Sequence, residues 1–125
     1  MFTVTTRIDV AELRDGERAG LIVFGGDYAW VGIERAAGTT RMVMRARRDA
    51  ANGGNEALLA EEPFTGQSAT LLLLVADGGQ CQFNIGPAFA ARPGRWVGAK
   101  VGLFAAAPLR SVQTGAVTIR SFVVR

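Results

Sequence analysis

The sequence predicts an all-β fold, a sandwich or barrel of eight or nine short antiparallel strands. Three observations carry that prediction. No stretch sustains a 3.6-residue apolar period, so no amphipathic helix is specified. Several segments alternate apolar and polar residues, most cleanly Cys81, Phe83 and Ile85 against Gln80, Gln82 and Asn84. Turn-forming residues punctuate the chain about every ten residues, the spacing of consecutive strands in such folds. At 125 residues the chain reads as a single domain, 1–125, long enough to bury a core without disulfides.

The elements follow in order. Val4, Ile8 and Val10 alternate with Thr5, Arg7 and Asp9, which sets Thr6 on the inner face of a half-buried strand. Arg14-Asp15-Gly16-Glu17-Arg18 is a charged turn. Ala19 to Phe24 is a short apolar run, Gly25-Gly26-Asp27 a hairpin turn, and Tyr28 to Arg35 the second strand of an antiparallel pair. After a turn over 36–39, Thr40 to Arg48 alternates Met42, Met44 and Ala46 against arginines. Asp49 to Asn55 reads as an exposed loop. Glu56 to Glu62 fits either a short strand or a helical turn. Ala69 to Ala76, uninterrupted from Leu71 to Val75, fits a central strand covered on both faces, and Asp77-Gly78-Gly79 turns the chain back. The last strands are 99–105 and 116–124, joined by a turn-rich 108–114. Val117 and Ile119 hold odd positions but Phe122 and Val124 even ones, which requires a bulge near Arg120-Ser121 or burial on both faces.

Composition removes whole classes of function. The net charge of +3 arises from thirteen arginines and one lysine against eleven carboxylates. Arg41, Arg45, Arg47 and Arg48 form the one local cluster, and the first three share a strand face that reads as solvated. No aromatic residues interleave it, so no nucleic-acid partner is expected. No run of about 18 apolar residues exists, so no membrane partner is expected either. The first residues lack a basic segment followed by an apolar one. The expectation is a cytoplasmic chain, or one whose export signal lies outside this sequence. Histidine is absent and Cys81 is alone, which excludes imidazole-activated nucleophiles, an intramolecular disulfide and a cysteine zinc site. No cofactor or metal is expected. Carboxylate chemistry on a glycosidic bond stays open, but Asp27 and the Glu61-Glu62 pair before Pro63 are poorly placed for it. The chain alone is therefore expected not to be catalytic.

The word Gly94-Arg95-Trp96-Val97-Gly98-Ala99-Lys100-Val101-Gly102-Leu103-Phe104-Ala105 is the least ordinary in the chain, its glycines marking backbone approached closely by a neighbour. It resembles a segment of the C-terminal concanavalin A-like β-sandwich domain of family 43 glycoside hydrolases, the β-xylosidase group. Val4 to Val10, the run Ala19 to Phe24 with its turn and Tyr28, and Gly86-Pro87-Ala88-Phe89 onward are similar to that family's words in the same order. Together they cover about two thirds of the chain. The departures are a missing Asp-Gly hairpin after Phe83, where Asn84-Ile85-Gly86-Pro87 stands, and Thr118 and Arg120 in place of acids in the last strand.

The resemblance implies a lectin-like jelly-roll sandwich, here lacking N-terminal strands of the full domain. Such a sandwich accompanies a five-bladed propeller that hydrolyses arabinose- or xylose-containing glycans and holds the catalytic carboxylates. The implied function is a non-catalytic accessory domain supporting that catalytic domain or its sugar pocket. The alternative is a free-standing carbohydrate-binding or oligomerising module. Expected partners are xylo- or arabino-oligosaccharides, a glycosidase catalytic domain, or another copy of the chain. Tyr28, Trp30 and Trp96 are the candidate sugar-stacking residues, with Asp27 as a hydrogen-bonding neighbour. Phe89 is the candidate aromatic for docking a partner domain. Packing against the opposite sheet is the competing reading for each of these aromatics.

Overall fold

Successive side chains of an extended strand point to opposite faces, so alternating segments bury one face only by stacking on a second sheet. The computed structural model describes residues 1–49, 53–91, 100–108 and 114–125. Its strands are β1 (Phe2–Asp9), β2 (Arg18–Phe24), β3 (Tyr28–Ala36), β4 (Thr39–Arg47), β5 (Glu56–Pro63), β6 (Ser68–Val75), β7 (Gln80–Phe83), β8 (Phe89–Ala90), β9 (Lys100–Ala106) and β10 (Thr118–Val124). They form two antiparallel sheets, sheet one ordered β10-β1-β6-β7-β8 and sheet two β5-β4-β3-β2-β9. Val4, Ile8, Leu71, Leu73 and Phe83 of sheet one meet Leu21, Val23, Val31, Ile33 and Met44 of sheet two in the core. Thr6 shares that inner face as its parity predicts, and its hydroxyl donates to the Ser121 carbonyl at 2.6 Å, which satisfies a group that is otherwise costly to bury.

Three readings resolve here. Residues 56–63 are a strand, because β4 offers a free edge and the register carries them past it with one irregularity near Arg45. The last strand carries its bulge at Arg120: Arg7 pairs with Ser121 while Ile8 pairs with Ile119. The third reading is corrected. β6 is central but not covered on both faces; Leu71 and Leu73 are fully buried whereas Leu72 and Leu74 are exposed, since nothing among the described residues stacks on the outer side of sheet one.

The β3–β4 hairpin closes through two residues, both at positive φ, Ala37 at 51° and Gly38 at 77°. Its tight turn matches the twist of the flanking strands, but alanine is strained in the left-handed region. Ala37→Asn, which creates the favoured Asn-Gly pair, is expected to stabilise the chain by about 0.5–1 kcal/mol. An unchanged urea midpoint would contradict this. At the same end of the sandwich the Glu17 carboxylate accepts the backbone N–H of Arg14 at 2.7 Å and of Gly115 at 2.9 Å, which clasps the start of β2 to the segment entering β10. Those two N–H groups hold its pKa below the ordinary 4.5.

Candidate functional site

Ala29, Val31 and Ile33 of β3 point into the core, so Tyr28 and Trp30 lie on the outer face of sheet two. An indole there would ordinarily meet solvent, yet Trp30 is 1 % exposed. Two glycines make this possible. Gly20 of β2 and Gly32 of β3 pair directly, leaving a floor without side chains, and a Cβ on Gly20 would lie 2.9 Å from the indole ring. Phe104 of β9 packs edge-on, its ring centroid 4.9 Å away at 82°. The Arg18 guanidinium covers the ring at 5.3 Å.

Glu56 ties this cluster together. Its Oε2 accepts from the Tyr28 hydroxyl at 2.5 Å and from Trp30 Nε1 at 3.3 Å, and its Oε1 accepts from Arg18 Nη1 at 2.9 Å. Glu34 receives Arg45 through Nε at 2.5 Å and Nη2 at 3.1 Å, with Arg18 at 3.9 Å. Arg41 faces Glu61 at 3.6 Å. Charge therefore alternates across four strands, from Arg18 to Glu34, to Arg41 and Arg45, to Glu56 and Glu61. The arginine face read as solvated is instead one rail of an ion-pair ladder, with the Arg45 side chain only 24 % exposed. Burial pushes the Glu56 pKa upward, but the bonds from Tyr28, Trp30 and Arg18 outweigh it and hold the carboxyl below its ordinary 4.5. Burial first, and Glu56 second, raise the Tyr28 hydroxyl above its ordinary 10.0.

The sign of the pH dependence follows. A carboxylate with a lowered folded pKa contributes stability that is complete above the unfolded value and lost as pH falls through the folded one. The Glu56 network should thus be intact at neutral pH and fail below about pH 4.5. Thermal melts of Glu56→Gln should show a shallower acid slope than the parent over that range; parallel slopes would remove Glu56 from the account.

The sequence-derived site residues other than Trp96 each have a definite place. Tyr28 is half-buried and Trp30 is sealed in, both converging on Glu56. Asp27 points elsewhere: it is 1 % exposed and accepts from Arg48 Nη1 at 2.9 Å and from the Asp49 N–H at 2.7 Å, which staples the β2–β3 turn to the end of β4. Trp96 lies outside the described residues. Phe89 is 2 % exposed, its ring in the core and beneath the Arg48 guanidinium at 4.3 Å, so it has no free face to offer a partner. Sequence reasoning missed two residues. Glu56 gave no signal while 56–62 stayed ambiguous between strand and helix. Phe24 was legible, since it and Tyr28 flank the three-residue turn symmetrically; they pair across the hairpin, and Phe24 is 43 % exposed. Gly94 and Gly98 of the 94–105 word lie outside the described residues; a Cβ on Gly102 would meet only Phe24, at 3.8 Å, whereas Gly20 and Gly32 are closely approached by backbone. Among the described residues no group of three or more His, Cys, Asp or Glu side chains could hold a metal.

A search of the curated proteins gave no match. Solved structures match over nearly the whole chain. A GH43 glycoside hydrolase engineered at its active site to display both endo-xylanase and exo-arabinofuranosidase activity aligns with a TM-score of 0.81 and 22 % identity, covering 98 % of this chain and 28 % of that one. A bifunctional GH43-CE protein of Bacteroides eggerthii aligns at 0.78 with 18 % identity, over 99 % of this chain and 17 % of that one. A mutant of the GH43 protein BlXynB from Bacillus licheniformis aligns at 0.74 with 12 % identity, over 98 % and 27 %. The chain thus spans less than a third of each of these proteins, and at such identities the likeness establishes the concanavalin A-like sandwich fold. Residues 1–88 match the family model of the β-xylosidase C-terminal concanavalin A-like domain, and the chain belongs to that family.

Proposed function

We propose that this chain is a non-catalytic accessory sandwich of a β-xylosidase- or arabinofuranosidase-type glycoside hydrolase, supporting the catalytic domain or its sugar pocket. The observation that carries the reading is the ion-pair ladder. Glycoside hydrolysis needs one carboxyl group kept protonated as an acid beside an ionised partner. On the outer face of sheet two Glu34, Glu56 and Glu61 each face an arginine, and Glu56 is held in the ionised direction. This arrangement stiffens a surface; it does not protonate a leaving group. Family membership and the small share of each GH43 chain that this fold occupies support the same reading.

The test is an assay of the chain alone on nitrophenyl β-xyloside and α-arabinofuranoside, followed by calorimetric titration with xylo- and arabino-oligosaccharides. No hydrolysis and no saturable heat are expected. Hydrolysis abolished by Glu56→Gln would overturn the proposal. The free-standing lectin-like reading draws on a separate observation, the exposed Phe24 beside Tyr28, whose flat faces suit a sugar ring. Saturable heat that is lost in a folded Phe24→Ala variant would establish that reading in place of the first.

A further inference from the structure

Every side chain of β10 is exposed, and the bulge at Arg120 divides its ladder to β1 into two parts. Past the bulge the holding groups are neutral. Ser121 to Val124 pair with Val4 to Arg7, the Ser121 carbonyl accepts the Thr6 hydroxyl, and Thr3 and Arg125 exchange backbone hydrogen bonds at 2.7 and 2.9 Å. Before the bulge the register holds Ile119 beside Ile8 and Thr118 beside Asp9, and there carboxylates take over. Glu17, 5 % exposed, accepts the Gly115 N–H through both oxygens at 2.9 and 3.0 Å, and the Arg14 N–H at 2.7 Å. Asp9 accepts the Ala11 N–H at 3.1 Å and faces Arg120 Nη2 at 3.3 Å. Beside them the Ala116 N–H reaches the Glu12 carbonyl at a longer 3.3 Å, and Val117 packs against the core.

We infer that Glu17 and Asp9 form an acid-released latch on the entry to β10: protonating them frees residues 115–119, while the strand past the bulge stays paired. Hydrogen bonds to an ionised acceptor are about twice as strong as neutral ones, so a neutral acid holds the same N–H groups less firmly. The fit at Gly115 has no slack. A Cβ there would collide with the Glu12 carbonyl oxygen and with Glu17 Oε1, so only glycine brings its amide to the carboxylate. The surrounding charges leave the latch to these two groups. Around Glu17, the Arg14 charge favours the ionised form, Arg18 is turned to Glu56 and Glu34, Arg35 is bound to Asp15 and the Leu13 carbonyl, and Glu12 contributes its carbonyl. Residues 114–119 carry no charge. Asp9 faces Arg120 of β10 and, across on β6, the neutral Ser68, with Arg7 two residues along its own strand. Bonds from backbone N–H groups are the largest cause holding Glu17 below its ordinary 4.5 and Asp9 below its ordinary 3.8. Stabilisation by such groups is complete at neutral pH and is lost as pH falls through the lowered value, which puts release below about pH 4. A strand end held by few buried contacts opens locally, ahead of the core.

Residue-resolved hydrogen exchange on the whole chain, read as protection relative to intrinsic rates from about pH 7 down to about pH 3, tests this. It needs no saccharide, so a failure of the glycosidase reading leaves the result untouched. The Gly115 and Ala116 amides should lose about tenfold or more of their protection on acidification, while the protected amides of β6 and of residues 121–124 keep theirs. Glu17→Gln should show the acid pattern already at neutral pH and flatten the pH dependence of the Gly115 amide. Gly115→Ala blocks the approach without changing charge and should expose the Ala116 amide in the same way. Glu61→Gln, which alters a carboxylate facing Arg41 on sheet two, is the control and should match the parent. The profile of the unaltered chain decides even where a variant does not fold. Loss of protection at the same pH in β6 and at Gly115 overturns the inference, as does a Gly115 amide whose protection is unchanged at the acid limit, or a folded Glu17→Gln variant that exchanges like the parent.

Discussion

Trp30→Ala should destabilise the chain by about 3–5 kcal/mol, the cost of emptying a buried aromatic site. The indole is 1 % exposed and is held by a glycine floor, the Phe104 ring, the Arg18 guanidinium and Glu56. Its removal leaves a void that a sheet cannot collapse into, because Gly20 and Gly32 have no side chains to fill it, and it takes one donor from Glu56. Urea unfolding measures the loss. Trp30→Phe keeps most of the volume but not the N–H, so its cost should be clearly smaller. If Trp30→Ala left the midpoint unchanged while abolishing binding of an oligosaccharide, the ring would be a binding surface and the packing account would be wrong. At 1 % exposure Trp30 offers a sugar little ring face, while among the described residues Phe24, 43 % exposed, and half-buried Tyr28 are the more open aromatics on this face.

The second large effect is expected at Gly32. An alanine Cβ there would sit 2.1 Å from the Ala19 carbonyl oxygen and 2.7 Å from the Gly20 Cα, both backbone atoms of the paired strand. Backbone cannot rotate away as a side-chain tip does, so β2 and β3 must separate at their centre. A loss of about 3 kcal/mol or more follows, at the upper end of what overpacking costs. Gly102→Ala is the matched control in the same sheet. Its Cβ would meet Phe24 at an ordinary 3.8 Å, and alanine in place of glycine restricts the unfolded chain, so a change between zero and about 1 kcal/mol of stabilisation is expected. Equal effects at the two positions would show that glycine content, and not the close approach, sets the cost.

Local pattern alone was enough to place most strands. Period-two alternation located 4–10, 40–48 and 80–85, the Gly25-Gly26-Asp27 turn placed 28–35, and turn residues bounded each one, because both signals depend only on near neighbours in the chain. The bulge at Arg120 was legible for the same reason: a change of parity within one strand is a local fact with a geometric consequence. Segment 56–62 was not legible, since alanine, leucine and glutamate suit a helical turn as well as a strand and only the free edge of β4 decides between them. The apolar run 71–75 misled in the other direction. Composition cannot say whether a second layer will cover both faces, and here Leu72 and Leu74 face solvent.

Sequence pattern alone reached the all-β class, the family resemblance, the hairpin that sets Tyr28 opposite Phe24, and the exclusion of imidazole-activated nucleophiles. Where the described candidate residues sit came from the folded chain. Asp27 became a staple for the β4 end, Phe89 a core residue, and Trp30 a sealed ring, because each of these fates depends on groups distant in sequence: Asp27 is 21 positions from Arg48, and Trp30 is 26 from Glu56. Burial, pairing and charge compensation are properties of such long-range contacts. A residue's type states what it can do, and the surfaces brought against it by the fold settle which of those things it does.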